Sequence, residues 1–103
     1  MENIELTDMA KIILLLVDEG HYVSPQSKEE ERHVALLVYE ELVDSQCTKD
    51  SMYDYDSLEI TTKGRAYLVC NPELQNPSVL KDFKFLTSTA ISLVQTFFQI
   101  ANS

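Results

Sequence analysis

The stretch LEITTKGRAYL, residues 58–68, joins a strand pattern directly to the start of a helix. Its first four residues alternate apolar and polar side chains, which is typical of a short, half-buried strand. Thr62 is predicted to cap the following helix, because its hydroxyl can accept a hydrogen bond from a free backbone N–H. Gly64 lacks a Cβ and would let the helix lie close to the strand. The sequence therefore predicts a strand that runs straight into a closely packed helix.

Two helices are predicted before this junction. Thr7 is a suitable N-cap for the first helix, and Gly20 suits the C′ position that ends it. The middle of that helix, residues 12–17, is apolar without a break and predicts a buried helix rather than a strand. Ser27 is a suitable N-cap for the second helix, and Glu30 stands three residues later, as in a capping box.

The second helix is predicted to end near Val43 or Asp44. Residues 45–57 are mostly turn and loop types, interrupted by one methionine and two tyrosines. The strand pattern at residues 58–61 follows this loop-like segment directly.

The C-terminal part of the chain carries the longest periodic pattern. Its apolar residues alternate spacings of four and three, which predicts a long helix over residues 78–101. Residues 85–103 contain no charged side chain, so this helix is expected to be covered on more than one side. We predict a homodimer interface at Phe83, Leu86, Ala90, Leu93, Phe97 and Ile100. The alternative is a helix that closes the core of a monomer.

Residues 58–68 resemble the wing-to-helix junction of winged helix-turn-helix proteins, and are most similar to the MarR and PadR type with its Thr-x-Lys-Gly-Arg helix start. The resemblance implies one α+β, mostly helical, winged-helix-like domain over residues 1–103, with core and wing in 1–70 and a dimerisation helix in 78–101. It also implies a recognition helix near residues 29–43 and a two-stranded wing with its tip at residues 44–57. Such folds usually have three helices before the wing, whereas two are predicted here.

The charge of the chain argues against the function that this family usually performs. The formal net charge is −9, and residues 40–59 alone hold seven acids and one base. DNA is a polyanion, and most of its non-specific affinity for proteins comes from lysine and arginine. The segments that would face phosphates in a winged-helix regulator are therefore the acidic ones, so nucleic acid is an unexpected partner.

No pattern for catalysis, metal binding or cofactor binding is found. The two histidines and two cysteines, His21, His33, Cys47 and Cys70, do not follow the spacing of a zinc site. With two glycines, the chain has no glycine-rich phosphate loop. We therefore expect no enzyme, no metal and no cofactor. We also expect no secretory signal and no membrane span, and hence a cytoplasmic protein with reduced thiols.

A surface for a protein partner is predicted at the acidic hairpin and the helix before it. Tyrosines supply contact area and carboxylates supply charge complementarity to a basic surface. The residues assigned to this surface are Glu40, Glu41, Asp44, Asp50, Tyr53, Asp54, Tyr55 and Asp56. The alternative is a wing in which both tyrosines pack on their own strands and the acids only aid solubility.

The sequence therefore predicts a small acidic regulatory or accessory protein that binds a basic or nucleic-acid-binding partner, with its carboxylates able to stand in for DNA phosphates. The rival hypothesis is a dimeric winged-helix transcriptional regulator that binds DNA. In that case Lys28, Arg32, His33 and Lys49 would have to contact the phosphates.

Overall fold

The computed structural model describes residues 5–22, 25–47, 53–83 and 86–100, which form an α+β fold. Within these residues there are four α-helices, a short 3₁₀ helix and two two-stranded sheets. Their bounds are α1 Asp8–Asp18, α2 Lys28–Tyr39, β1 Val43–Cys47, β2 Tyr53–Ile60, α3 Thr62–Cys70, β3 Glu73–Leu74, the 3₁₀ helix Pro77–Asp82, α4 Ser88–Phe97 and β4 Gln99–Ile100.

Helix α1 is the centre of the core. All residues from Asp8 to Val17 are buried, and the helix packs against α2, α3, α4, β2 and the 3₁₀ helix. The predicted limits are confirmed: the Thr7 hydroxyl accepts a hydrogen bond from the N–H of Ala10, and Gly20 has φ 76°. An apolar run without polar interruptions fits this position, because every side of the helix faces other elements.

Helix α2 begins at the predicted cap, with the Ser27 hydroxyl accepting a hydrogen bond from the N–H of Glu30. Its predicted end near Val43 is wrong, because the helix stops at Tyr39. Glu41 has φ 62°, and the N–H groups of Glu41 and Leu42 donate to the carbonyls of Val38 and Leu37. This is a Schellman ending, which frees the following residues to form β1.

The predicted two-stranded hairpin is confirmed. Strands β1 and β2 pair antiparallel, with Val43 opposite Ile60 and Asp44 opposite Glu59. The register shifts between Asp44 and Gln46, which marks a bulge. Strand β2 is longer than the pattern at residues 58–61 predicts, and β1 occupies residues assigned to the helix end and the wing tip.

The junction at residues 60–64 differs from the prediction by one residue at the cap. Thr61, not Thr62, is the N-cap of α3, and its hydroxyl accepts a hydrogen bond from the N–H of Gly64. Both threonines can cap a helix, so sequence alone does not choose between them. The close approach predicted at Gly64 is confirmed, because a Cβ there would lie 2.1 Å from the carbonyl oxygen of Leu42.

The predicted C-terminal helix is present, but it spans Ser88–Phe97 and is not continuous over residues 78–101. The segment contains the 3₁₀ helix, then α4, then β4, which pairs parallel with β3. Thr87 caps α4 through a hydrogen bond from the N–H of Ala90, and Phe98 ends it in extended conformation. The apolar residues keep a regular spacing because the 3₁₀ helix and α4 pack against the same core. The N-cap at Thr87 nevertheless starts α4 as a separate helix.

Candidate functional site

The strongest acidic feature of the described surface lies where α2 turns into the hairpin. We call the residues Glu40, Glu41, Asp44 and Glu59 the acidic corner. Glu41, Asp44 and Glu59 are exposed, and Glu40 is partly exposed. Three of the four were predicted as partner-binding residues. Glu59 was missed because the strand pattern explained it as a solvent-facing position, and only the register brings it to the corner.

Asp44 and Glu59 are direct cross-strand partners in the antiparallel pair. Like charges that stand opposite each other in a sheet destabilise it, typically by several tenths of a kcal/mol up to about 1 kcal/mol. Both side chains are exposed, so solvent reduces the repulsion without removing it. The Asp44–Glu59 pair therefore lowers the stability of the hairpin.

The backbone of the acidic corner is held by the start of α3. The Thr61 hydroxyl lies 2.7 Å from the carbonyl oxygen of Glu41 and 3.0 Å from that of Leu42, and it shares its proton between them. The Nζ of Lys63 donates to the carbonyl oxygen of Glu40 over 2.9 Å. Three successive carbonyls at the end of α2 are thus fixed by the motif that follows β2. The corner is a fixed platform rather than a loose loop.

Five other residues were predicted to bind a partner, and four of them lie in the described strand β2. Tyr53, Asp54, Tyr55 and Asp56 lie within β2, with Tyr53 opposite Cys47 and Asp54 opposite Gln46. Asp50 lies outside the described residues. The structure therefore places Asp54 and Asp56 in the same strand as Glu59 of the acidic corner.

The outward face of α2 combines cations with apolar side chains. Lys28, Arg32, Leu36 and Tyr39 are all exposed, and their spacing of four or three residues puts them on one side of the helix. Tyr39 is 81% exposed and directly precedes the acidic corner. The predicted phosphate contacts Lys28 and Arg32 thus lie together. His33 is partly buried, with its Nδ1 2.7 Å from the carbonyl oxygen of Glu29, and Lys49 lies outside the described residues.

The residues predicted for a dimer interface divide into two groups. Phe83 and Ala90 are buried in the chain's own core, and Leu86 and Leu93 pack partly against it. Phe97 is 36% exposed and its ring contacts that of Phe98 edge-on, while Ile100 lies in β4. The stripe therefore closes the core of the chain over much of its length, and Phe97 is the large aromatic side chain that α4 presents to solvent.

A second site, which sequence patterns did not indicate, is a cleft of about 750 Å³ beside α1 and α3. Its polar lining includes Glu5, Lys11, Lys63, Tyr67, Asn71 and Gln75. Lys11 belongs to the buried face of α1 and is only 9% exposed, and its Nζ donates to the carbonyl oxygen of Glu73 over 3.0 Å. The available signal for this cleft in the sequence was Lys11, which directly precedes the apolar run of α1. It was interpreted only as part of the helix.

Asp8 is another polar residue that lies inside the core. Its carboxylate accepts hydrogen bonds from the N–H groups of Gln75 and Asn76, while Lys11 one turn later binds the carbonyl of Glu73. The two side chains thus hold residues 73–76 against α1. Asp8 therefore has a structural role next to the cleft, which is lined by Lys11 and Gln75.

Glu30 turns inward instead of completing the predicted capping box. Its side chain is 2% exposed, Oε1 accepts a hydrogen bond from the Tyr22 hydroxyl, and Oε2 has no hydrogen-bond partner. The Tyr22 contact links the segment before α2 to the helix itself. Among the residues that the structure describes, no three histidine, cysteine or acidic side chains are placed to share a metal ion.

Comparison with known protein families, with curated proteins and with solved structures finds no match to this chain. None of the helices in the described part is both long enough and apolar enough to cross a membrane.

Proposed function

We propose that this chain is a non-catalytic protein-interaction module whose acidic corner binds a basic surface on another protein. The proposal rests on one observation: acidic residues occupy two positions of the acidic corner at which they destabilise the local structure. A surface selected only for solubility could place the same charges at positions without that penalty.

The first position is Glu41, at the C′ position of α2. Glycine is favoured there because a side chain in the left-handed region meets its own backbone, at a cost of about 1 kcal/mol. Among the described residues, Glu41 is the one non-glycine residue with positive φ. The second position is the Asp44–Glu59 pair, whose like charges face each other across the hairpin. Departures from local preference of this kind concentrate at functional sites.

The geometry also suits recognition of a cation. Thr61 and Lys63 fix the backbone beneath Glu40 and Glu41, so little conformational entropy would be lost when a partner binds. Tyr39 is highly exposed beside the carboxylates and offers a ring face to a lysine or arginine. Tyrosine is also a residue type that often dominates the free energy of binding at protein interfaces.

The test is a titration of the labelled protein with an octalysine peptide at about 150 mM salt, followed by amide chemical shifts. We expect saturable binding with shifts centred on the acidic corner. Glu41→Gln and Asp44→Asn should each weaken binding about two- to fivefold, in line with one exposed ion pair. Glu31→Gln is the matched control, because Glu31 is equally exposed but lies in the first turn of α2. Equal effects of all three variants would assign the binding to net charge and reject the corner.

The alternative function is a winged-helix transcriptional regulator that binds DNA. One observation favours it: Lys28 and Arg32 share an exposed face of α2, the helix just before the hairpin. The order of two helices, a hairpin and a helix fits a reduced winged-helix arrangement. Fluorescence anisotropy with random duplex DNA at low salt separates the hypotheses, since low salt favours any phosphate contact. Binding that Arg32→Glu abolishes would support the regulator, whereas we expect none.

We also propose that the chain forms a homodimer through the exposed side of α4. The face of this helix that points away from the core is uncharged and includes the exposed residues Ser88, Ser92, Gln95, Thr96 and Phe97. A surface without lysine or glutamate can be covered by protein with little desolvation of charge.

A further inference from the structure

The cleft between α1 and α3 combines a strongly buried cation with a second lysine on its edge. Lys11 and Lys63 both line it, and Glu5 is the one acidic lining residue in the described part of the chain. The surrounding chain is acidic, with a net charge of −9. Among the described lining residues, two lysines therefore face one carboxylate, whereas the chain as a whole is acidic.

Both lysines are held by backbone carbonyls rather than by carboxylates. Lys11 binds the carbonyl oxygen of Glu73, and Lys63 binds that of Glu40. The ion pair found in the described part of the chain joins Arg65 and Asp18 and does not involve the cleft. A carbonyl orients an ammonium group but leaves its full positive charge, and each ammonium group keeps two further N–H donors.

The cleft is also lined by uncharged side chains that can donate hydrogen bonds. The Tyr67 hydroxyl accepts a hydrogen bond from the N–H of Leu6, so its own proton remains available to an acceptor in the cleft. The side chain of Gln75 also lines the cleft and carries an amide that can donate. Donors on α1, α3 and the segment after α3 therefore surround one space.

We propose that this cleft is a binding site for a small oxyanion, a carboxylate or phosphate group, held by Lys11 and Lys63 with Tyr67 as a neutral donor. Charge-assisted hydrogen bonds to oxygen anions are about twice as strong as neutral ones, and a partly buried lysine strengthens them by limiting solvent access. A cleft of about 750 Å³ has room for an organic molecule that carries the anionic group. Lys63 also donates to the carbonyl oxygen of Glu40 in the acidic corner, so the two sites share this residue, but the anion site does not depend on the proposed partner.

The test uses two probes, sodium phosphate and sodium succinate, titrated into the labelled full chain at constant ionic strength. We expect saturable amide shifts at Lys11, Lys63, Tyr67 and Gln75 with at least one probe, and a dissociation constant on the order of 1–10 mM. A second readout is the alkylation of Cys70 by iodoacetamide, because this exposed thiol lines the same cleft. The bound anion should slow that reaction.

Substitutions should move the affinity in opposite directions. Lys63→Gln is expected to weaken binding roughly tenfold, since it removes one charged donor. Glu5→Gln should strengthen binding because it removes a carboxylate that lines the cleft. Lys81→Gln and Asp82→Asn are the matched controls, because both residues are exposed on the 3₁₀ helix and do not line the cleft.

Lys11→Met should abolish binding, but it also removes the contact to Glu73, and Lys63→Gln removes the contact to Glu40. The Glu5 variant, for which tighter binding is expected, therefore keeps the test independent of any loss of structure. Shifts that rise linearly with both probes would overturn the proposal. Equal effects of the Lys63 and Lys81 variants would overturn it as well, because they would reveal attraction to general surface charge.

Discussion

A Cβ atom on Gly64 would lie 2.1 Å from the carbonyl oxygen of Leu42 and 2.9 Å from Cγ1 of Ile60. Leu42 is the residue at which α2 turns into β1, and Ile60 is the last residue of β2. The absence of one methyl group therefore lets α3 rest on both strands of the hairpin. The same turn of α3 supplies Thr61 and Lys63, which bind the carbonyls of the acidic corner.

We expect Gly64→Ala to lower the free energy of unfolding by about 2 kcal/mol. Alanine is the better helix former by about 1 kcal/mol, but the clash is with backbone, which cannot move without separating α3 from the hairpin. Urea unfolding measures the change. Gly20→Ala is the control, because that position has open space and only its φ of 76° is unfavourable, so it should cost about 1 kcal/mol. An equal or smaller loss for Gly64→Ala would show that the contact can relax.

Local signals in the sequence predicted the elements whose ends depend on local chemistry. Thr7, Gly20 and Ser27 act at the predicted ends of α1 and α2, because caps involve only neighbouring residues. The hairpin and the close approach at Gly64 were also predicted. The end of α2 was not, since a glutamate at C′ is stabilised by contacts from residues twenty positions later, such as Thr61.

The site was predicted less completely than the fold, because its parts meet only through pairing and packing. Glu59 joins Asp44 through strand register, which no local pattern specifies. The cleft needs Lys11 and Lys63, which are far apart in the chain and lie in elements that pack against each other. The broken C-terminal segment has the same cause: its apolar period reports contact with the core and does not report whether the helix is continuous.

Glu41→Gly should raise the free energy of unfolding by about 1 kcal/mol, because glycine adopts the left-handed conformation at C′ without steric cost. The same variant should weaken binding of the octalysine peptide. Glu41→Ala is the matched comparison: it removes the carboxylate but keeps a Cβ, so it should weaken binding to the same extent without the gain in stability. Chemical unfolding and the peptide titration are measured on both variants. If Glu41→Gly became more stable and bound the peptide as well as the parent chain, the corner would have no part in binding.

Reversing one charge of the Asp44–Glu59 pair should stabilise the hairpin. Asp44→Lys and Glu59→Lys each convert a like-charge pair into an opposite one, with an expected gain of about 0.5–1 kcal/mol. The double variant has two lysines opposite each other and should return close to the parent stability. This double-mutant cycle isolates the cross-strand term, and the gain should shrink in high salt. Additive effects across the cycle would mean that the two side chains do not interact.

Phe97→Glu should convert the proposed dimer to a monomer. Phe97 is the large aromatic side chain that α4 exposes, and a carboxylate there would place a charge in an otherwise uncharged face. Sedimentation velocity at tens of micromolar protein should give a dimer for the parent chain and a monomer for the variant. Gln95→Glu is the control for charge alone, since that residue is exposed on the same helix without being a large apolar contact. A parent chain that sediments as a monomer would leave α4 as the helix that closes the core of one chain, with Phe83 and Ala90 already buried there.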